Sequence, residues 1–398
     1  MPPGESERHE RIHDPHSERM LGFLHELHTQ ADERATGDSR IAAFAIAASR
    51  SVTQNENFRK TIQELLEFRP DISPNYAVNL TLRALQKQLN REAYRREYPE
   101  AYTDPELWGQ AITEVTNPTN LAENDEFMWD IMYRHVQSNI AERYKSFVLL
   151  MHLMGNRFGE NPSILDIGCS QNQGLKRIAF SHMLPFTPFQ SIIQDGHEAP
   201  SLEMQILNRL VGTPLQLGPS VGIDIMHPRD VSNKEWARSC SFYPSELLID
   251  QRREEYDLLD TAEPPQVGFY AADFSEFDHD DFNANSQTTK FDLVTFSTVL
   301  YQVSDEGQRQ KMLDNARRLL KPHGLIVVQD FATVDPNDKT KMVFHPNWFE
   351  HTYLYGTMVI DPLDPTGQVH DVFRWENGRC KRMAAGSDLG RIMLFMGG

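Results

Sequence analysis

Apolar residues in the first third of the chain recur at steps of three and four. "ERMLGFLHELHTQADERA", "SRIAAFAIAASRSV", "NENFRKTIQELLEFR" and "SPNYAVNLTLRALQKQLNREAYRREY" each carry such a stripe, which predicts amphipathic helices from about 18 to 115. Ser39, Asn55 and Ser73 stand where N-caps belong, and Pro70 and Pro99 end the helices they follow. A further helical pattern runs from about 124 to 155 and closes on Gly155, a residue suited to a C-terminal cap. Its aromatics Phe127, Trp129, Tyr133 and Tyr144 are expected in a core, with a pocket lining as the alternative.

Beyond Gly155 the period changes. The apolar runs "SILDIG", "SVGIDI", "VGFYAADF", "FDLVTFSTVL" and "LIVVQDF" are separated by segments compatible with helices, the pattern of a parallel sheet covered on both faces. The last stretch, "HTYLYGTMVID", "VHDVFRW", "RCKRMAAG" and "RIMLFM", with a hairpin turn at Asn377-Gly378, predicts antiparallel strands at the edge of that sheet. The fold class is therefore α/β with a mostly parallel sheet and an N-terminal all-helical region.

Length and charge narrow the picture. A chain of 398 residues exceeds the usual single domain, so a large domain with an appendage or two domains is expected. Asp and Glu number 57 against 39 Lys and Arg, a formal charge of -18, which argues against a nucleic-acid partner. Cys169, Cys240 and Cys380 are far apart and show no CxxC spacing, so no disulfide framework and no metal site is expected, and a cytoplasmic setting is. No apolar run reaches membrane-spanning length, and the polar start, with His9, His13 and His16, is expected to be a disordered tail over 1–17.

In an open α/β sheet, ligands sit outside the carboxyl ends of the strands, so the residues that follow each apolar run carry the chemistry. Those are Asp166 and Gly168, Asp224, Asp273, Ser297 to Tyr301, and Asp330. Gly168 permits close backbone approach, and Gly174 suits the start of the following helix. A carboxylate at Asp224 is placed to accept two hydrogen bonds from a ribose diol, and Asp273 to accept one from an adenine amino group. The acids Glu276, Asp278, Asp280 and Asp281 read as a solvated loop.

Taken in order, "ILDIGCS", "VGIDI", "AADFSEF", "FDLVTFSTVLYQV" and "ARRLLKPHGLIVVQDF" resemble the successive motifs of class I S-adenosylmethionine-dependent methyltransferases. The resemblance implies a Rossmann-like, seven-stranded sheet with an antiparallel edge strand, and S-adenosyl-L-methionine as cofactor. It implies that Asp166, Gly168 and Ser170 form the loop beside the methionine part, and that Asp224 holds the ribose hydroxyls. Ile225 or Met226 would pack on the adenine, Asp273 and Phe274 would bind it, and Ser297 and Thr298 would face the methionine end. His323 in "LKPHG" would be structural. The expected division is a tail over 1–17, a helical domain over 18–120 serving as substrate cover or dimer interface, and a methyltransferase domain over 121–398.

Three departures from the family's pattern stand out. Ser170 and Asn172 replace glycines of the usual GxGxG loop, although Ser is small and Asn tolerates the left-handed region. Gly168 and Asp224 lie farther apart than the roughly twenty residues usual in such folds, which implies an insertion near 180–218, read here as a lid or substrate wall. After the fifth strand, "ATVDPNDKTKMVFHPNWFEHTYLYG" holds no long helix where the family has one.

Methyl transfer from a sulfonium is an in-line displacement that depends on positioning, with a base needed only for an acceptor that must lose a proton. His345, in "FHPNW", and Tyr301 are the first candidates, followed by His351, His227 and Tyr243. The expected activity is methylation of an O or N nucleophile of a small molecule, with no membrane partner and a homodimer as an option. The alternative from another class is a non-catalytic cofactor-binding subunit that docks a protein partner through its helices. A nicotinamide dehydrogenase would require a GxGxxG loop that this chain lacks.

Overall fold

The β-forming runs assemble as their alternation requires. In the computed structural model, which describes residues 15–32, 39–91, 102–136, 141–194, 197–198, 201–241, 257–286, 288–345, 354–376, 380 and 382–391, they form one 11-stranded sheet. The strands are β1 (Ile164–Ile167), β2 (Ser191–Gln194), β3 (His197–Glu198), β4 (Ser220–Asp224), β5 (Val267–Ala271), β6 (Phe291–Ser297), β7 (Leu320–Val334), β8 (Met342–Phe344), β9 (Tyr355–Ile360), β10 (Val369–Trp375) and β11 (Arg382–Ala385). Their order is β3-β2-β11-β10-β9-β7-β6-β1-β4-β5, with β8 paired to β7.

The five runs recognised in the sequence form the parallel part, β5-β4-β1-β6-β7. β9 then pairs antiparallel with β7, and β10 antiparallel with β9. This meander explains why no long helix follows the fifth strand: a strand that returns directly beside its predecessor needs only a loop, whereas a parallel crossover needs a helix.

Successive side chains feed opposite faces of the sheet. Ile164, Leu293, Leu325 and Val327 join one buried cluster, while Leu165, Val294, Ile326 and Val328 join the other. Such two-sided burial is why these strands read as continuous apolar runs rather than alternating ones.

The chain divides into two compact units, Met1–Ser138 with Arg238–Gln251, and Asn139–Ala237 with Arg252–Gly398. The first contains helices α1 (Pro15–Ala31), α2 (Ser39–Gln54), α3 (Glu56–Phe68), α4 (Pro74–Leu89), α5 (Pro105–Val115) and α6 (Leu121–Tyr133). Asn55 and Ser73 cap as their positions imply, accepting from the backbone N–H of Phe58 and Tyr76. A buried ion network ties α6 to α4: Lys87 reaches Asp130 and Glu126, each at 2.8 Å, and Arg134 reaches Asp130 at 2.7 Å.

Two expectations change here. The helical pattern from 124 to 155 is interrupted at Arg134, whose backbone is extended (φ -87°, ψ 158°), and resumes as a 3-10 turn, Ala141–Tyr144, and helix α7 (Lys145–Leu153). Gly155 opens a short helical turn, α8 (Gly155–Phe158), and the closing glycine is Gly159 at φ 75°. The described part of the insertion near 180–218 is no free flap. β2 adds to β11 in parallel, helix α10 (Ser201–Val211) follows, and Phe186, Phe189, Ile192, Val211 and Leu217 lie in the core. The tail up to residue 14, Tyr243, His351 and the Asn377-Gly378 turn lie outside the described residues.

Candidate functional site

β1 is flanked by β4 on one side and β6 on the other, so the strand order reverses there and a crevice opens at the carboxyl ends. The chain leaves β1 through a turn in which every second residue is left-handed: Gly168 at φ 71°, Ser170 at 52° and Asn172 at 56°. Glycine is required at 168 twice over, by its φ and because a Cβ would lie 2.3 Å from Val299 Cγ2. Asn172 compensates for its side chain by using it: its Nδ2 donates to the Gly268 carbonyl on β5 at 2.8 Å. Gly222 on β4 makes room, since a Cβ there would meet Asn172 Oδ1 at 2.4 Å and Cys169 Sγ at 2.6 Å. Helix α9 (Gln173–Ala179) then begins against Tyr144, whose ring occupies the space a side chain at Gly174 would need, 1.7 Å from that Cβ.

Asp166 sits under this loop, fully buried, with Oδ2 accepting from the Tyr144 hydroxyl at 2.6 Å and Oδ1 from Thr295 Oγ1 at 2.7 Å. Burial pushes its carboxyl up to about 6; the two hydroxyls oppose the shift and the charge of Asp224 adds to it. Asp224, at the end of β4, accepts from Ser170 N–H at 2.8 Å through Oδ2 and from Met226 N–H at 3.1 Å through Oδ1. Burial raises its carboxyl also, against these backbone bonds. The Ile225 N–H bonds it as well, and one lone pair of the carboxylate is left for a hydroxyl partner. Next to it Ile225 is 69% exposed, a large apolar side chain left at the mouth of the crevice.

Asp273 caps the 3-10 turn Phe274–Glu276, its Oδ1 accepting from the Ser275 N–H and hydroxyl at 2.8 and 2.7 Å. It is exposed, and Oδ2 has no partner among the described residues. Phe274 corrects the sequence reading. Its ring turns into the core, 4.9 Å from Phe277 and 5.9 Å from Phe296, because the short turn buries the apolar side of "FSEF". Its ring is buried, whereas the Ile225 side chain is exposed.

Ser297 ends β6 in register with Gln329 on β7, and Thr298 follows at φ 62°. Asp330 underpins the turn after it. Its Oδ2 accepts from the N–H of Val299 and Tyr301, both at 3.2 Å, and Oδ1 from Phe331 N–H at 2.9 Å. Burial drives the Asp330 carboxyl up to about 7, with those N–H groups and Arg143 pulling it down. The two first candidates for a base both border Phe331, Tyr301 through its ring and His345 through its backbone. Tyr301 lies 5.3 Å from Phe331, and His345 donates its backbone N–H to the Phe331 carbonyl at 2.8 Å while its Nε2 shares a hydrogen bond with Thr333 Oγ1 at 3.0 Å. His227 stands apart in the β4 loop, edge-on to Phe269 at 5.2 Å.

Several residues of this site carried little or no sequence signal. Thr295 is the one polar residue within "LVTF", and its pairing opposite Asp166 gives it a partner; that hydroxyl could have been anticipated once the two strands were aligned. Tyr355 and Gln329 could not. Tyr355 Oη lies 3.1 Å from Thr298 Oγ1 and 3.2 Å from Gln329 Nε2, contacts between strands distant in sequence.

No protein-family model matches the chain, and no curated protein matches it. Among solved structures it is similar to the N-methyltransferase NodS from Bradyrhizobium japonicum WM9, in complex with S-adenosyl-L-homocysteine, at 18% identity over 51% of this chain and 67% of that one, with a TM-score of 0.26. It is similar to the sugar N-methyltransferase KedS8 from a Streptoalloteichus species at 12% identity over 50% of this chain and 51% of that one, TM-score 0.24. A third is the methyltransferase CcbJ from Streptomyces caelestis, at 12% identity over 65% of this chain and 79% of that one, TM-score 0.26. The chain thus spans about half the length of KedS8 and two-thirds that of NodS. The fold class follows from this chain's own strand order: five parallel strands with a reversal at β1, continued by antiparallel strands, a Rossmann-like α/β sheet.

Proposed function

We propose that the protein is an S-adenosylmethionine-dependent methyltransferase that methylates an O or N nucleophile of a small molecule. The observation that carries this reading is the loop after β1, with three left-handed residues at the switch point and its backbone tied to Asp224. The residues suit the cofactor chemically. Asp224 retains a lone pair for a ribose hydroxyl, Ile225 offers an apolar seat for adenine, and Asp273 keeps a carboxylate oxygen for an amino group. Gly168 and Ser170 keep the loop's backbone free of bulk at the methionine side.

The bound cofactor would supply an electrophilic methyl group on a sulfonium. The chain's part is then to hold the acceptor in line with that methyl and to keep water out. Tyr301, whose ring lies against Phe331, and His345, whose ring meets Thr333, are the groups proposed to take a proton from an acceptor that must lose one. The charge of -18 supports a small substrate over a nucleic acid, and no described helix is long and apolar enough to cross a membrane. A cytoplasmic setting is proposed on the cysteine usage.

Titration calorimetry with S-adenosylmethionine, run beside NAD, tests the cofactor. Binding of the first alone is expected, and no binding of S-adenosylmethionine sinks the reading. Asp224→Ala should weaken that binding by about 1–3 kcal/mol, since it strips partners from the loop N–H groups and from the ribose. S-adenosylhomocysteine formed with pooled small metabolites would establish turnover.

A further inference from the structure

Helix α6 is apolar on two sides. Phe127 and Ile131 are buried, while Leu121, Trp129 and Tyr133 are 69%, 55% and 56% exposed. Phe68, at the end of α3, is 52% exposed and joins them: its ring lies 5.2 Å from that of Tyr133, which lies 4.5 Å from that of Trp129. Single apolar side chains are ordinary on a surface, but three aromatic rings in contact on the water side form a patch, the mark of an interaction site.

The spacing points to what covers it. Leu121, Asp125, Trp129 and Tyr133 are all exposed and follow one another at steps of four, one ridge along the outer side of the helix. The four positions are symmetric about 127. An antiparallel second copy of α6 therefore brings Leu121 beside Tyr133 and Asp125 beside Trp129, and does so twice, which is the condition for a two-fold interface. The chemistry matches as well. At the ends a leucine meets an aromatic ring. In the middle the Asp125 carboxylate, which only accepts, meets the Trp129 indole N–H, which only donates, and neither has a hydrogen-bond partner among the described residues.

Ridges of this kind interlock when two helices cross at about 50°, the commonest helix packing. The area suffices. An aromatic side chain presents roughly 150–250 Å², so three half-exposed rings and Leu121 offer on the order of 400–500 Å² per copy, and the pair buries about 1,000 Å², the lower bound of a specific interface.

We infer that the protein pairs with a second copy of itself about a two-fold axis that crosses α6, with Trp129, Tyr133 and Phe68 as the apolar anchors and Asp125 bonded to the partner's Trp129. The pairing goes beyond the cofactor reading above and stands without it.

Sedimentation velocity on the full chain over about 1–100 µM should show a monomer–dimer equilibrium. A monomer throughout overturns the proposal and leaves the face to a different protein. Trp129→Ser and Tyr133→Ser should each weaken the dimer about 30-fold or more, the loss typical of an aromatic at the centre of an interface. Ile206→Ser, which removes a side chain 50% exposed on α10 of the other unit, should change nothing. Equal losses for all three would mean general stickiness, and no loss at Trp129 would move the contact elsewhere; both overturn the proposal. Cross-linking tests the register with every aromatic in place. The native cysteines are buried, so Asp125→Cys treated with a short bismaleimide should give a covalent dimer and Ile206→Cys should not. Two copies of position 125 would lie roughly 6 Å apart along the paired helices. A dimer that cross-links through neither position, or through both, has a different axis and overturns the proposal.

Discussion

Two turns at the carboxyl ends of neighbouring strands place non-glycine residues in the left-handed region, and they do so by different means. After β1 the conformation is set by local residue choice: Gly168 has no Cβ, Ser170 is small, and Asn172 anchors itself with its own side chain on Gly268. After β6 the residue is wrong for the conformation, and the rest of the sheet holds it. Thr298 stays at φ 62° because β7 and β9 supply Gln329 and Tyr355 to bond it. A turn of the first kind is tuned one residue at a time. The second kind is a collective property, so a change in a strand can alter the turn without touching it.

The largest effect should come from cutting the collective turn at its hub. Gln329 is fully buried and joins Ser146, Thr357, Tyr355 and the Arg143 carbonyl. Gln329→Leu, similar in volume, leaves those partners unsatisfied and should cost about 3–5 kcal/mol in denaturant unfolding. Next comes the tightest point of the local turn. Gly168→Ala places a Cβ 2.3 Å from Val299 Cγ2 at φ 71°, and about 2–4 kcal/mol of lost stability is expected from strain and overpacking together. A Gly168→Ala protein with wild-type stability would mean that the loop relaxes, and the contrast between the two turns would fail.

The same contrast explains what the sequence discloses. Asp166, Gly168 and Asp224 are legible because each follows an apolar run whose end can be read, and strand ends are where an α/β sheet keeps its ligands. Asp330 is legible as the acid after an apolar run, but β7 continues past it to Val334, and its work on the Val299 and Tyr301 N–H groups depends on how the turn after β6 folds. Tyr355 is 57 residues from Thr298, and in "YLYGTMVI" it looks like any aromatic of a buried strand. Phe274 misleads for a related reason: a Phe after a strand-end acid resembles an adenine contact until the turn is seen to bury it beside Phe277. The insertion near 180–218 reads as a lid or substrate wall, and nothing in its own residues names β11 as the partner of β2.

A buried acid beneath each turn should give the sheet unit a shared pH dependence. Burial raises Asp166 to about 6 and Asp330 to about 7 from an unfolded value near 3.9. A raised carboxyl favours the folded state while protonated, so this contribution is complete below the unfolded value and is lost as pH rises through the folded ones. Stability should fall on the order of 3–4 kcal/mol between pH 5 and pH 7, and Asp330→Asn should flatten the upper part of that decline. A profile that rises over this interval would show that both carboxylates are held ionised, with Arg143 and the turn N–H groups outweighing burial.

The smallest expected change sharpens the comparison most. At Asn172 two terms oppose each other: glycine would take φ 56° without strain, but it would lose the bond to the Gly268 carbonyl, a loss softened because Gly268 is exposed to water. Asn172→Gly should therefore move stability by no more than about 1 kcal/mol. Asn172→Ala loses the bond and pays the left-handed strain as well, so it should be about 1–2 kcal/mol worse than the glycine variant. If conformation is the local turn's main requirement, glycine is the better substitute by that margin in parallel unfolding curves. Equal losses for the two would mean that the side-chain anchor carries the whole effect, and the loop after β1 would then be held, like Thr298, by a bond to a distant strand.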